Sequence, residues 1–125
     1  MKLPERHQTV MPYLILPGAS AFIDFAKNVF GAEEFTRYPT DDGKVMHAEI
    51  AIGTSTIMTG DSNEKWQPRP ASLYIYSKDV DADYAKALKF GAKSIMEPND
   101  QPYGRTCGVE DPTGNVWWIT SLPKS

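Results

Sequence analysis

His47 and Glu49 stand two residues apart and form the sharpest chemical pair in the chain. On an extended strand, residues so spaced share one face, roughly 6.5–7 Å apart along the backbone. An imidazole and a carboxylate placed this way can share a ligand's proton. His47 would act as general base and Glu49 as orienter or acid, and burial would shift either pKa. The quieter reading of the same pair has Glu49 bound to Arg37 or Arg105 and His47 hydrogen-bonded within the sheet. Trp117, Trp118, Tyr74, Tyr76 and Tyr103 make an aromatic set that either fills a core or offers faces to a planar or cationic ligand. The lone Cys107 would need a neighbouring base or cation to become a nucleophile, and it reads instead as a small buried hydrophobe. Asp61 reads as a turn residue, and His7 as a solvated side chain on a loose N-terminal arm. The sequence holds no phosphate-cradling glycine loop, no nucleophile elbow and no paired metal-binding histidines.

The elements that must position these groups follow from periodicity. Val10 to Leu16 reads as a strand, with Pro12 near its start, where a missing N–H is tolerable. Pro17-Gly18 ends it. Ser20 is the expected N-cap of a first helix, whose apolar stripe is Phe22, Ala26, Val29 and Phe30. Gly31 supplies its stop. Glu34 to Pro39 is a strand, and Thr40-Asp41-Asp42-Gly43 a hairpin turn. Lys44 to Ile52 alternates: Met46, Ala48, Ile50 and Ile52 face one way, Val45, His47, Glu49 and Ala51 the other. Ser55 to Gly60 follows as a strand, and Asp61 to Pro70 as a polar seam. The order then repeats. Ala71 to Tyr76 is a strand, and Asp79 caps a helix that buries Val80, Tyr84, Ala87 and Leu88 and stops at Gly91. Ala92 to Met96 is a strand, Glu97 to Gly104 a loop with two prolines, Arg105 to Glu110 a strand, Asp111 to Gly114 a turn, and Asn115 to Thr120 the last strand.

The repeat is visible in the letters. Ala26-Lys-Asn-Val-Phe-Gly-Ala32 returns as Ala85-Lys-Ala-Leu-Lys-Phe-Gly-Ala92, each copy closing a helical pattern. Strand, helix and three strands, twice, define an α+β fold of two tandem βαβββ modules. One domain, 1–125, is expected, with module one at about 10–61 and module two at about 70–122. A net charge of -3 and the lack of a Lys/Arg cluster argue against a nucleic-acid face and fit a cationic or neutral ligand. One cysteine excludes an internal disulfide framework and points to a reducing compartment. No apolar run reaches the length of a membrane span, and residues 1–10 lack a signal-peptide core, so a cytoplasmic protein is expected.

This pattern, with the Gly-Ala after each helix and Asp111-Pro-Thr-Gly-Asn-Val-Trp-Trp118 near the end, resembles the vicinal oxygen chelate superfamily. That is the glyoxalase, bleomycin resistance protein and extradiol dioxygenase group. Pro12-Tyr13-Leu14, Ile23-Asp24-Phe25, Phe30-Gly31-Ala32-Glu33-Glu34 and Asp42-Gly-Lys-Val-Met-His-Ala-Glu49 resemble its PhnB-like branch. Asn115 departs from it, standing where those relatives often carry His. The resemblance implies a curved mixed sheet wrapped around a ligand cavity, and a homodimer. It also implies four metal positions, which fall here on Met11, Met58, Ser72 and Trp118, so no family metal and no cofactor are expected. The strand faces turned away from the helices then line the cavity. They bring in Met11, Tyr13 and Ile15; His47 and Glu49; Thr56 and Met58; Ser72, Tyr74 and Tyr76; Val116, Trp118 and Thr120, with Arg105 near the rim. Tyr13, Met58, Ser72, Tyr74, Tyr76, Arg105 and Trp118 are the expected ligand contacts, and His47 and Glu49 the expected catalytic pair. The resulting function is sequestration of a small molecule in an aromatic-lined cup. Its rivals are a lyase, isomerase or transferase based on His47, and a module whose hollow is filled by its own Met and Trp side chains.

Overall fold

The computed structural model describes residues 1–123. Its elements run β1 (Tyr13–Leu16), α1 (Ala19–Phe30), β2 (Glu33–Pro39), β3 (Val45–Ile52), β4 (Ser55–Asp61), β5 (Ser72–Tyr76), α2 (Val80–Lys89), β6 (Lys93–Gln101), β7 (Gly104–Glu110) and β8 (Val116–Thr120). This is the expected α+β order. The strands form two four-stranded mixed sheets, β1-β4-β3-β2 and β5-β8-β7-β6, neither of them closed. In each, the first strand runs parallel to the fourth and the remaining pairs are antiparallel. Two compact units result, Met1–Pro70 and the chain from Ala71 onward.

In the first unit α1 packs on β1, β3 and β4. Its Phe22, Ile23, Ala26 and Val29 are buried, as are Leu14, Leu16, Ala48 and Ile50 of the strands. Burying apolar surface at roughly 25 cal/mol per Å² is what fixes this face inward. Gly31 closes the helix in the left-handed region, φ 69°, and Ala32 N–H reaches back to the Ala26 carbonyl at 3.2 Å. That bond satisfies a carbonyl the helix end would otherwise leave unpaired.

The start of α1 differs from expectation. Ser20 lies inside the helix, and Gly18, in the left-handed region, holds the N-cap position without a side-chain cap of its own. The cap comes from β4 instead. Asp61 Oδ1 accepts from Gly18 N–H at 3.1 Å and Ala19 N–H at 2.9 Å, while its Oδ2 accepts from Val45 N–H at 2.6 Å. One carboxylate thus ties the helix start to the start of β3, and its charge suits the positive end of the helix dipole. Asp61 is a clamp and not merely a turn residue.

β1 is shorter than the alternation suggests. Val10 is exposed, and pairing starts where the Pro12 carbonyl accepts from Met58 N–H at 2.9 Å. Its open edge is covered by the polar seam: Arg69 N–H donates to the Ile15 carbonyl at 2.7 Å. Covering an edge in this way removes a template for unwanted pairing.

In the second unit Asp79 caps α2 as expected, accepting from Ala82 N–H at 3.1 Å. Val80 and Ala87 are buried, but Leu88 is exposed and Tyr84 is only half-buried. The segment 97–101, expected to be loop, belongs to β6. The ladder with β7 breaks register between Met96 and Asn99, and this bulge takes up Pro98, which has no N–H to give. Asp111 gathers the last turn. Its carboxylate accepts from Thr113 and Asn115 backbone N–H, from both their side chains, and from Trp117 Nε1 at 2.8 Å. Asn115 Oδ1 in turn accepts from Ala71 N–H at 2.9 Å, so the Asp-Pro-Thr-Gly-Asn run pins β5 to β8.

Candidate functional site

The face of the first sheet turned away from α1 carries Tyr13, His47, Glu49, Thr56 and Met58. Strand register sets them side by side: Tyr13 and Glu49 both lie opposite Met58, and Tyr38 lies opposite His47. Across this face runs the N-terminal arm. A turn closed by His7 N–H on the Pro4 carbonyl, with Arg6 at φ 68°, brings the arm onto the sheet. Thr56 fixes it, its hydroxyl donating to the Arg6 carbonyl and its N–H to Gln8 Oε1 at 3.1 Å.

At the centre Glu49, 7% exposed, is held by two imidazoles. His7 Nε2 lies 2.7 Å from Oε1, and His47 Nε2 lies 2.7 Å from Oε2. An ionised carboxylate only accepts, so both Nε2 atoms carry hydrogen. The Nδ1 of His47 is then an acceptor in the neutral ring, and it meets the Tyr13 hydroxyl at 3.0 Å. The result is one hydrogen-bonded chain, His7–Glu49–His47–Tyr13. Burial pushes the Glu49 carboxyl up, but the hydrogen bonds from His47 and His7, with their charges, outweigh it and hold the pKa below the ordinary carboxylate value. Burial, and then the Glu49 charge, push the Tyr13 phenol above its ordinary value. Glu49 therefore stays ionised and Tyr13 stays a phenol. Tyr13 and Tyr38 flank the His47 ring, with centroids 5.4 and 6.3 Å away, and both tyrosines are exposed.

The expected alternative partners of Glu49 are engaged elsewhere. Arg37 binds Glu34 and Ser20, and Arg105 binds Asp81 through two nitrogens and Asp100 through a third contact. His7, read from the sequence as solvated, is instead one of Glu49's two donors. The arm has no periodicity to place it, and its partner is forty-two residues away. The polar pairing of His47 with Glu49 and their shared face were legible from the alternation of β3 alone.

The second unit uses the same positions differently. Gly108 and Tyr74 lie opposite Trp118, as Glu49 and Tyr13 lie opposite Met58. By that register Thr106 and Gly108 stand where His47 and Glu49 stand in the first unit. Thr106 is buried and bonded to Thr120, 2.8 Å between hydroxyls. A Cβ at Gly108 would lie 2.5 Å from the Trp118 ring, so the indole lies directly over the glycine. Ser72, Tyr74 and Tyr76 share the exposed face of β5, the two tyrosine rings edge to face at 5.5 Å. Trp117 is buried, as its alternation suggests. Cys107 is fully buried, and desolvation, then the Asp81 charge, push its thiol up to about 11. It is a core side chain and no nucleophile.

The donor set does not suit a divalent metal. The family positions hold thioethers at Met11 and Met58, a hydroxyl at Ser72 and an indole at Trp118. In the first unit Glu49 spends its two carboxylate oxygens on His7 and His47. Among the described residues no three His, Cys, Asp or Glu side chains are grouped to hold an ion. Among them, too, no helix is long and apolar enough to cross a membrane.

Two βαβββ units, each a helix on a four-stranded mixed sheet, with a polar and aromatic open face in one of them, define the class. Residues 9–119 match the model of the Glyoxalase/Bleomycin resistance protein/Dioxygenase superfamily, and the chain belongs to that family. An uncharacterized protein of Mycobacterium bovis is 33% identical over 118 residues, spanning 85% of this chain and 78% of that one. Among solved structures, the putative 3-demethylubiquinone-9 3-methyltransferase, PhnB protein, of Bacillus cereus is similar at a TM-score of 0.72 and 18% identity, over 92% of this chain and all (100%) of that one. TnmS3, an antibiotic binding protein from Streptomyces sp. CB03234, is similar at a TM-score of 0.71 and 21% identity, over 93% of this chain and 99% of that one. At these identities the solved neighbours establish the fold.

Proposed function

We propose that this protein binds a small aromatic molecule on the open face of its first sheet, without the family metal. The observation that carries the reading is the His7–Glu49–His47–Tyr13 chain. It spends both carboxylate oxygens internally and ends on the exposed Tyr13 phenol, with a second exposed tyrosine, Tyr38, beside the His47 ring. Such a surface orients and stacks a ligand, and it offers no open coordination position. That the structurally similar TnmS3 is an antibiotic binding protein is consistent with it. The reading keeps the cytoplasmic homodimer expected from the sequence. Within the second unit, taken by itself, Ser72, Tyr74, Tyr76 and Trp118 remain proposed ligand contacts, while Arg105, already paired with Asp81, contributes least.

The test is a thermal-shift screen of planar aromatic compounds on protein dialysed against a chelator. A ligand at 100 times its Kd should stabilise the protein by about 2.7 kcal/mol, and His47→Ala should abolish the shift. Shifts that arise only after a divalent metal is restored would overturn the metal-free reading. A second reading, an enzyme with His47 as base and Glu49 as orienter, is favoured by the 2.7 Å contact between them. It ranks lower because His47 Nδ1 is already occupied by Tyr13, and that phenol's raised pKa makes it a poor relay to a substrate proton.

A further inference from the structure

Resting on the binding site just proposed, we infer that it selects ligands by an acidic oxygen, a phenol, enol or carboxyl group, bound as the anion while His47 takes up one proton. Glu49 accepts from both imidazoles, so the Nε2 hydrogens are fixed. The hydrogen between His47 Nδ1 and the Tyr13 oxygen is the one with freedom. With His47 neutral, Tyr13 donates inward and shows its lone pairs to the ligand. With His47 protonated, Nδ1–H donates to the Tyr13 oxygen, and the phenolic hydrogen turns outward, where Tyr13 is 45% exposed.

A ligand oxyanion needs the second arrangement. The anion accepts from Tyr13 O–H, Tyr13 accepts from Nδ1–H, and the Glu49 carboxylate sits against the resulting imidazolium. No covalent bond to carbon changes. One proton comes from solvent to Nδ1, and the ligand's negative charge is balanced by the imidazolium. The groups that meet His47 are Glu49 on β3 and Tyr13 on β1 by hydrogen bonds and Tyr38 on β2 by its ring, with His7 from the arm acting through Glu49. Arg6 of the arm is spent on Glu33 at 3.2 Å. The cationic ligand suggested by overall charge is thus not what this end of the site asks for.

4-Nitrophenol is a suitable probe, because its phenolate is coloured and its phenol is not. 4-Nitroanisole has the same ring and no acidic oxygen. Calorimetric titration at about pH 8.5, where free 4-nitrophenol is ionised, in buffers of different ionisation enthalpy, counts the protons taken up on binding. The inference expects close to one proton taken up per nitrophenol, bound nitrophenol that keeps its phenolate absorbance, and tenfold or weaker binding to Tyr13→Phe. Nitroanisole should bind at least tenfold more weakly than nitrophenol. Nitrophenol bound in its colourless form would overturn the inference, since the proton would then rest on the ligand. Equal binding of both probes without proton uptake would overturn it and leave the binding site standing. Binding of neither would overturn the inference and count against the aromatic-ligand reading as well.

Discussion

Replacing Glu49 by glutamine keeps the side chain's shape and removes its charge. Glu49 accepts two charge-assisted hydrogen bonds, each 2.7 Å long, and its side chain is only 10% exposed, so solvent screens them little. Bonds to a buried charged group contribute about 1.5–3 kcal/mol each. Glutamine keeps one carbonyl oxygen for one imidazole, and that bond falls to about 1 kcal/mol. Its amide hydrogens face the other Nε2–H, so that histidine must change tautomer or lose its partner. Relief from burying a charge offsets part of this loss, leaving a net destabilisation of about 2 kcal/mol. For a chain of 125 residues this lowers Tm by about 6–10 °C at neutral pH. The sign with pH follows from the lowered Glu49 pKa. The carboxylate's contribution is present above its unfolded value, near 4.3, and is lost as pH falls through the lower folded value. The gap between wild type and Glu49→Gln should therefore hold at pH 6–7 and close in the acid range below about 4. Scanning calorimetry across that range measures it. Equal Tm values at neutral pH, or a gap that persists undiminished below about pH 4, would refute the hydrogen-bonded chain.

Asp61→Asn should leave one oxygen on the Gly18 and Ala19 amides but turn an NH2 group against Val45 N–H, costing about 1–3 kcal/mol in urea unfolding. Wild-type stability in that variant would mean the helix start is capped by other groups. Cys107, buried and with its thiol pushed up to about 11, should resist an aromatic disulfide reagent near neutral pH and react fully in denaturant. Rapid labelling of the native protein would contradict its burial.

The features legible in the sequence were those with local causes. The helices are set by the spacing of Phe22, Ala26 and Val29 and by the glycine stops, and the faces of β3 by strict alternation. Illegible features depended on partners distant in the chain. Asp61 looks like an ordinary turn aspartate until β4 brings it to the start of α1. His7 sits in a segment without pattern, and only the fold shows it reaching Glu49. Pro98 argued for a loop because proline breaks ladders, yet a bulge in β6 absorbs it. The aromatic residues of β5 and β8 were placed on their strands correctly, but letters alone do not show that Trp118 covers its own glycine.

That covered glycine makes the second unit a blank for transplantation. Its backbone already presents positions 106 and 108 as the first unit presents His47 and Glu49, and Gly108 needs no left-handed conformation there. What occupies the place is the Trp118 indole, where the first unit has the slimmer Met58. Thr106→His and Gly108→Glu, made together with Trp118→Met, would copy one half's polar face onto the other. The indole has to go first, because no side chain fits between it and residue 108.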